Sequence, residues 1–353
     1  MAEPFKIDGR PIGPEHPPYI VAEMSGNHNG EIDRAIRLID AAKQAGADAV
    51  KLQTYTADTI TIDHDGPGFV LEGGLWHGRR LHELYHEAHT PWEWHGPLFE
   101  HASRIGITIF SAPFDPIAVR LLESLDAPAY KIASPEIVDL GLIELCARTG
   151  KPLIISSGMA SFEEINDAIR VAREAGAKQI LILHCTSSYP TPLDQAHLST
   201  ISDLSRRLGA PVGLSDHTLD TFAATVAVGQ GAVLIEKHFT LARADGGVDS
   251  AFSLEPAELK RLVDDTCAAH AALGQPNYRP SKAEQGTLVA RRSLYVVADV
   301  QAGEPFTPEN IRSIRPNLGL GPRHLNAVLG KTAARNLTRG QPLSADMILD
   351  FEA

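Results

Sequence analysis

Cysteine is scarce in this chain. Cys146, Cys185 and Cys267 are the only three in 353 residues, and they are widely spaced. An odd, scattered set argues against a disulfide framework and against a cysteine-built zinc site. Positive charge is in deficit: 32 Lys and Arg stand against 44 Asp and Glu, a formal net charge of −12. Nucleic-acid binding needs a basic face for phosphates, so that class is disfavoured. A small anionic substrate stays open if Lys or Arg cluster locally. Long apolar runs are absent too. None is of bilayer-spanning length, and residues 1–8 have no apolar core of signal-peptide length. A cytoplasmic protein with no membrane attachment is the simplest expectation. Nor does a G-x-G-x-x-G follow a first strand, which removes the main support for a dinucleotide fold.

What is present is an ordinary globular composition, 43% hydrophobic and 22% charged. The length predicts one large domain and a smaller one. Eight short apolar runs recur: YIVAEM (19–24), DAVKLQT (48–54), ITIFSAP (107–113), AYKIAS (129–134), PLIISSG (152–158), QILILHCT (179–186), PVGLSDH (211–217) and AVLIEKHF (232–239). Most are rich in β-branched residues, which favours strands. Between them lie segments of helical period, such as 33–45 and 162–175. The turn signals AGAD, AGAK, LGAP and QGAV place a glycine where a helix ends and the chain returns to a strand. Eight such units predict an α/β fold, a (β/α)8 TIM barrel. An open doubly wound sheet is the structural alternative.

The second unit is interrupted by a long segment, 56–94, which holds Trp76, Trp92 and Trp94, all the tryptophans of the chain. A loop of this length is usually functional or disordered, and the tryptophans favour an ordered, substrate-covering loop. After about Ser281 the character changes. VQAGEPFTPENI and LTRGQPLSADMI form a weak repeat that pairs Gly303 with Gly340, Pro305 with Pro342 and Ile311 with Ile348 at one offset. Thr307 before Pro308 reads as a helix N-cap, so two β-turn-helix halves are expected. The boundaries implied are a barrel at 1–274, a linker at 275–286 and a small domain at 287–353.

Barrel enzymes draw catalytic groups from the C-terminal strand ends, and here those ends are polar. They carry Glu23; Lys51 and Gln53; Ser111; Lys131, Ser134 and Glu136; Ser156; Ser187 and Tyr189; Ser215, Asp216 and His217; and Glu236, Lys237 and His238. His217 and His238 end consecutive runs and would face one cavity, a good divalent-metal pair; the bland alternative is two hydrogen-bonded loop histidines. His28 reads as a structural loop residue. Lys51 and Lys131 lie within apolar runs, and buried lysine is rare unless paired. Together they suit a phosphate or carboxylate. A Schiff-base role and outward snorkelling are the rivals. Glu136 follows K-I-A-S-P and suits a base that orients water, or simply a helix N-terminal acid. Arg315, in SIRP, reads by itself as a surface residue.

AEMSGNHNG, GADAVKLQTY, PAYKIAS, GKPLIISSGM, HCTSSYPTP, GLSDHT and EKHF, then GGVDSAFSL and SIRP, follow one another across nearly the whole chain. In these motifs the chain resembles the sialic acid synthase family, which condenses phosphoenolpyruvate with an N-acylated amino sugar. The resemblance implies a (β/α)8 barrel followed by a small antifreeze-like (SAF, β-clip) domain. It also implies a divalent metal, manganese or magnesium, on His217 and His238. Phosphoenolpyruvate would lie on Lys51, Lys131, Ser134, Ser156 and Ser215, with Ser111 and Ser187 in the same substrate-facing ring. Glu23, Gln53, Tyr189 and Asp249 would hold the sugar, and Glu136 would handle water. Arg315 would reach the sugar from a partner subunit, since the family forms domain-swapped homodimers. Ala112 and Ser187 depart from the family pattern, which has Thr and Asn there. GLWHGRRLHELYHEAHTPWEWH, SAPFD and RPNLGLGP resemble the branch that makes pseudaminic acid. That branch implies 2,4-diacetamido-2,4,6-trideoxy-L-altrose as acceptor, with N-acetylmannosamine or a legionaminic acid precursor as rivals. A Schiff-base aldolase using Lys131, or a binding module on an inert barrel, are the readings from other classes.

Overall fold

The computed structural model describes residues 5–352. Two compact units divide the chain between Gly274 and Gln275. In the first, each of the eight apolar runs is a strand: β1 (Tyr19–Glu23), β2 (Ala49–Thr54), β3 (Thr108–Pro113), β4 (Tyr130–Ile132), β5 (Leu153–Ser156), β6 (Ile180–Cys185), β7 (Val212–Asp216) and β8 (Leu234–His238). They pair in parallel, in chain order, and β8 closes on β1 to complete a barrel. The open doubly wound alternative is thereby excluded.

Helices follow the strands as the period predicts. Ile32–Ala45 buries Leu38, Ile39 and Ala42, and Phe162–Glu174 buries Ile165, Ala168, Ile169 and Ala172. The turn glycines end these units for a steric reason. Gly46, Gly176, Gly209 and Gly231 sit at φ +91, +106, +59 and +94, in the left-handed region that a Cβ penalises. A hairpin of Lys6–Ile7 and Arg10–Pro11 adds Phe5, Ile7 and Ile12 to the lumen's own apolar layer of Val21, Phe110, Ile154, Leu181 and Leu234. Among the described residues no helix is long and apolar enough to cross a membrane.

The 56–94 segment is not one loop. It contains the helix Leu81–Ala88, two short helical turns, and an antiparallel bridge between Val70 and Arg80. In the second unit, β9 (Ser293–Val296) pairs antiparallel with β10 (Ile311–Ile314). The sequence repeat is a structural one: Val300 N–H donates to Leu337 O at 2.9 Å and Leu337 N–H returns to Val300 O at 2.8 Å. Its halves are not β-turn-helix, however. Thr307 caps only a turn, because the strand β10 begins at Ile311 before a helix can form. A 3-10 run over Lys282–Ala290 crosses the expected boundary between the linker, 275–286, and the small domain from 287.

Candidate active site

Side chains alternate across a strand, so only every second residue of each barrel strand faces the lumen. The lower inward positions are the apolar layer just described. One step toward the C-terminal ends they become Glu23, Lys51, Lys131, Ser156, Cys185, Ser215 and Glu236, every one of them buried. Above them stand Gln53, His217 and His238.

The two lysines are paired. Lys51 Nζ lies 2.6 Å from Glu23 Oε2 and 3.7 Å from Glu236 Oε1. Lys131 Nζ donates to both oxygens of Glu236 at 2.9 and 3.1 Å, and Ser215 Oγ adds a bond of 3.2 Å. Gln53 Nε2 donates to Glu23 Oε1 at 2.7 Å. Burial works against every charge here. It lifts Glu23 above the usual carboxylate range and draws Lys131 below the usual lysine range. Glu236, against the same burial, is held at about 2 by Lys131 and Lys51. Outward snorkelling of the lysines is thus excluded: both ammoniums converge on one carboxylate inside the barrel.

His217 and His238 meet as expected, with ring centroids 5.4 Å apart. His217 Nδ1 points to Thr186 O at 3.2 Å, which leaves Nε2 without a hydrogen-bond partner among the described residues. His238 is buried, and burial first, then His217, pushes it well below the usual imidazole range. A neutral ring keeps a lone pair, and its buried Nδ1 has no hydrogen-bond partner among the described residues. No cluster of three or more His, Cys, Asp or Glu suited to a metal occurs among the described residues. What the chain offers is two imidazoles side by side, a donor set that fits a divalent cation only with substrate and water completing its shell.

Around this pair lie the other expected residues. Tyr189 packs on His217 with ring centroids 4.5 Å apart. Asp249 lies 4.0 Å from His238 Nδ1 and accepts a bond from Ser25 Oγ. Ser187 Oγ approaches Cys185 Sγ at 3.7 Å. Ser134 Oγ accepts the Gly158 N–H at 3.1 Å. Glu136 follows in the helical turn Pro135–Val138, and among the described residues its buried Oε2 has no hydrogen-bond partner, nor has Ser156 Oγ. Burial, with Asp139 adding to it, pushes the Glu136 carboxyl up to about 7. His28 is buried edge-on to Trp94 and accepts the Gly30 N–H, a loop role. Arg315 is exposed in the second unit just beyond β10.

Ser111 is a correction. Phe110 and Ala112 take the inward places of β3, so the Ser111 hydroxyl turns outward and bonds Thr54 Oγ1 at 2.6 Å, which in turn bonds His95 Nε2 at 2.8 Å. Glu236, in sequence only one of the polar strand ends, becomes the counter-ion of both lysines, and Cys185 and Gly158 join the constellation with no role expected of them. The alternation alone singles out the first, since Glu236 shares parity with His238. Cys185 shares parity with Leu183 in the same way. Gly158 carries no such signal, because its role is a close backbone approach.

The comparisons agree with this architecture. The NeuB family model matches residues 38–278 and the SAF domain model residues 291–349. A pseudaminic acid synthase of Helicobacter pylori is 45% identical over 94% of this chain and 98% of its own. An N,N'-diacetyllegionaminic acid synthase of Legionella pneumophila is 34% identical over 97% and 98%. The crystal structure of N-acetylneuraminic acid synthetase from Leptospira borgpetersenii, in complex with citrate, superposes with a TM-score of 0.73 at 32% identity, covering 82% of this chain and 96% of that one. With its barrel, its paired histidines and its C-terminal SAF domain, this chain belongs to the NeuB family.

Proposed function

We propose that the chain condenses phosphoenolpyruvate with 2,4-diacetamido-2,4,6-trideoxy-L-altrose, giving pseudaminic acid and phosphate. One observation carries the reading: two imidazoles, two ammoniums and three unpartnered buried polar atoms gather at the C-terminal end of one barrel. The likeness to pseudaminic acid synthases at 45 and 42% identity supports the choice of sugar.

Lys51 and Lys131 would face the phosphate and carboxylate of phosphoenolpyruvate, with Ser134, Ser156, Ser187 and Ser215 as hydroxyl donors. Glu236 keeps both ammoniums aimed at the same space. Glu23, Gln53, Tyr189 and Asp249 would hold the sugar, and His217 and His238 the cation. When bound, manganese or magnesium would polarise the open-chain aldehyde. Carbon 3 of phosphoenolpyruvate adds to that aldehyde carbon, whose oxygen takes up a proton to become a hydroxyl, and positive charge grows at carbon 2. Glu136 takes a proton from the water that adds there, and the tetrahedral product loses its hydroxyl proton as the bond from carbon 2 to the phosphate oxygen breaks, leaving the ketone and free phosphate. Lys51 and Lys131 stabilise the anionic groups throughout.

A homodimer fits this reading. Met159, Leu193 and Phe222, each in the stretch that follows a barrel strand's C-terminal end, are 71%, 56% and 62% exposed. A second copy's small unit would cover them and bring its Arg315 to the sugar.

The test is a panel of N-acylated sugars assayed for phosphate release from phosphoenolpyruvate with added metal. Turnover with the diacetamido altrose in preference to N-acetylmannosamine and the legionaminic precursor is expected, and H217A and H238A should each lose bound manganese and activity while folding normally. Preference for another sugar would replace the acceptor. A borohydride-trapped adduct on Lys131 would replace the mechanism by that of an aldolase.

A further inference from the structure

The segment between β2 and β3 brings Trp76 to Tyr189 and Phe252, the rings that flank the histidine pair. A hairpin-like bridge at Val70 and Arg80 spans its turn, where Gly73, Gly74 and Gly78 all adopt positive φ. The indole then lies 5.6 Å from the Tyr189 ring and 6.4 Å from the Phe252 ring. Those rings in turn lie 4.5 Å from His217 and 4.9 Å from His238, respectively. Trp76 is held in place. Its Nε1 donates to Val248 O at 2.9 Å, and it packs with Leu71 against Leu84, Ala88 and Val248. Val248 directly precedes Asp249, one of the candidate sugar contacts.

The engaged Nε1 decides what Trp76 can recognise. Tryptophan has one donor and no acceptor. With that donor committed to Val248, the indole offers a substrate only its hydrocarbon surface and π-face. Phe252 likewise offers no hydrogen-bond partner. A hydroxyl brought against these rings would lose its water without replacement, whereas a methyl would gain contact.

We propose that Trp76 is a specificity-determining residue that reads a methyl group of the acceptor sugar. The inference rests on the function proposed above. The methyl has two possible sources, carbon 6 of a deoxy sugar or the end of an acetamido group, and the chemistry recognised is the same. Loss of one such apolar contact is worth roughly tenfold or more in discrimination.

The test compares wild type, W76A and W76F on matched acceptors. One pair differs only in methyl against hydroxymethyl at carbon 6, the other only in acetyl against formyl on nitrogen. W76A is expected to raise KM for the sugar about tenfold, leave KM for phosphoenolpyruvate within twofold, and flatten the preference within one pair. That pair identifies the methyl. W76F should restore part of the preference. Sugar added in the presence of phosphoenolpyruvate should change the tryptophan fluorescence of wild type, and W76F should abolish that change while Trp92 and Trp94 remain. A W76A enzyme with unchanged sugar KM and both preferences intact overturns the inference, as does a full fluorescence change in W76F, which decides the matter should W76A fold poorly. If wild type turns over none of the sugars, the proposed function fails and this inference with it. An active wild type with an indifferent Trp76 sinks the inference alone.

Discussion

Lys237 and Asp216 lie between the lumen residues of β8 and β7 in sequence, yet their side chains point the other way. Their ion pair is 2.7 Å long and 1% exposed on each side. Lys237 Nζ also donates to Thr218 O at 2.6 Å, and Asp216 Oδ1 accepts both the N–H and the hydroxyl of Thr218 at 2.8 Å. The network ties the two strand tips together immediately beside His217 and His238. Removing one partner strands a buried charge, so K237M should cost about 3–5 kcal/mol, read as an early urea midpoint; K237M/D216L should recover part of it. A second expectation concerns Glu136. Its carboxyl, raised to about 7 by burial, is mostly protonated below that pH and cannot accept the proton of water. Turnover should therefore climb as pH rises through about 7, and E136Q should lower kcat a hundredfold or more and remove that limb. The pH profile of kcat for both enzymes checks it. Residue types in the sequence were enough to nominate Lys51, Lys131, His217 and His238. They did not reveal Glu236 as the shared counter-ion, because that pairing reaches across the closed lumen between strands that are not neighbours.

At the scale of elements, the loops after the strands do the positioning. Gly158, just beyond β5, is the sharpest case. A Cβ there would collide with Ser187 Oγ and Ser134 Oγ, the latter also bonded by its own N–H. G158A should raise KM for phosphoenolpyruvate about tenfold by displacing two hydroxyls, with little change in melting temperature, since both side chains can rotate away. Steady-state kinetics beside a thermal melt separates the two effects. Strand existence was legible because eight short apolar, mostly β-branched runs recur along the chain and four of them follow a glycine turn signal. Ser111 was misread because a run's polar end does not say which parity faces inward. Thr307 misled for a related reason: its cap pattern is local, while the strand from Ile311 forms by pairing with Ser293–Val296.

For the whole molecule, two separate cores make a clear expectation. The barrel closes on itself, and the second unit has its own apolar cluster of Leu294, Val300, Phe306, Ile311 and Leu343. A chain ending at Gly274 should fold alone. If a partner's small unit covers the mouth, that truncation should raise KM for the sugar and spare phosphoenolpyruvate. M159D/F222D should shift a dimer toward monomer in sedimentation. Unchanged sugar kinetics in the truncated chain would remove the second unit from catalysis.

By itself the sequence determined the strands, the helices between them and the inventory of polar groups at the strand ends. Periodicity and left-handed glycines are local properties, written residue by residue. Ion pairing in the lumen, the outward turn of Ser111 and the arrival of Trp76 beside Tyr189 were decided only when the barrel closed. Closure brings together strands far apart in the chain, and which charge or ring then meets which follows from register and parity that no single segment contains.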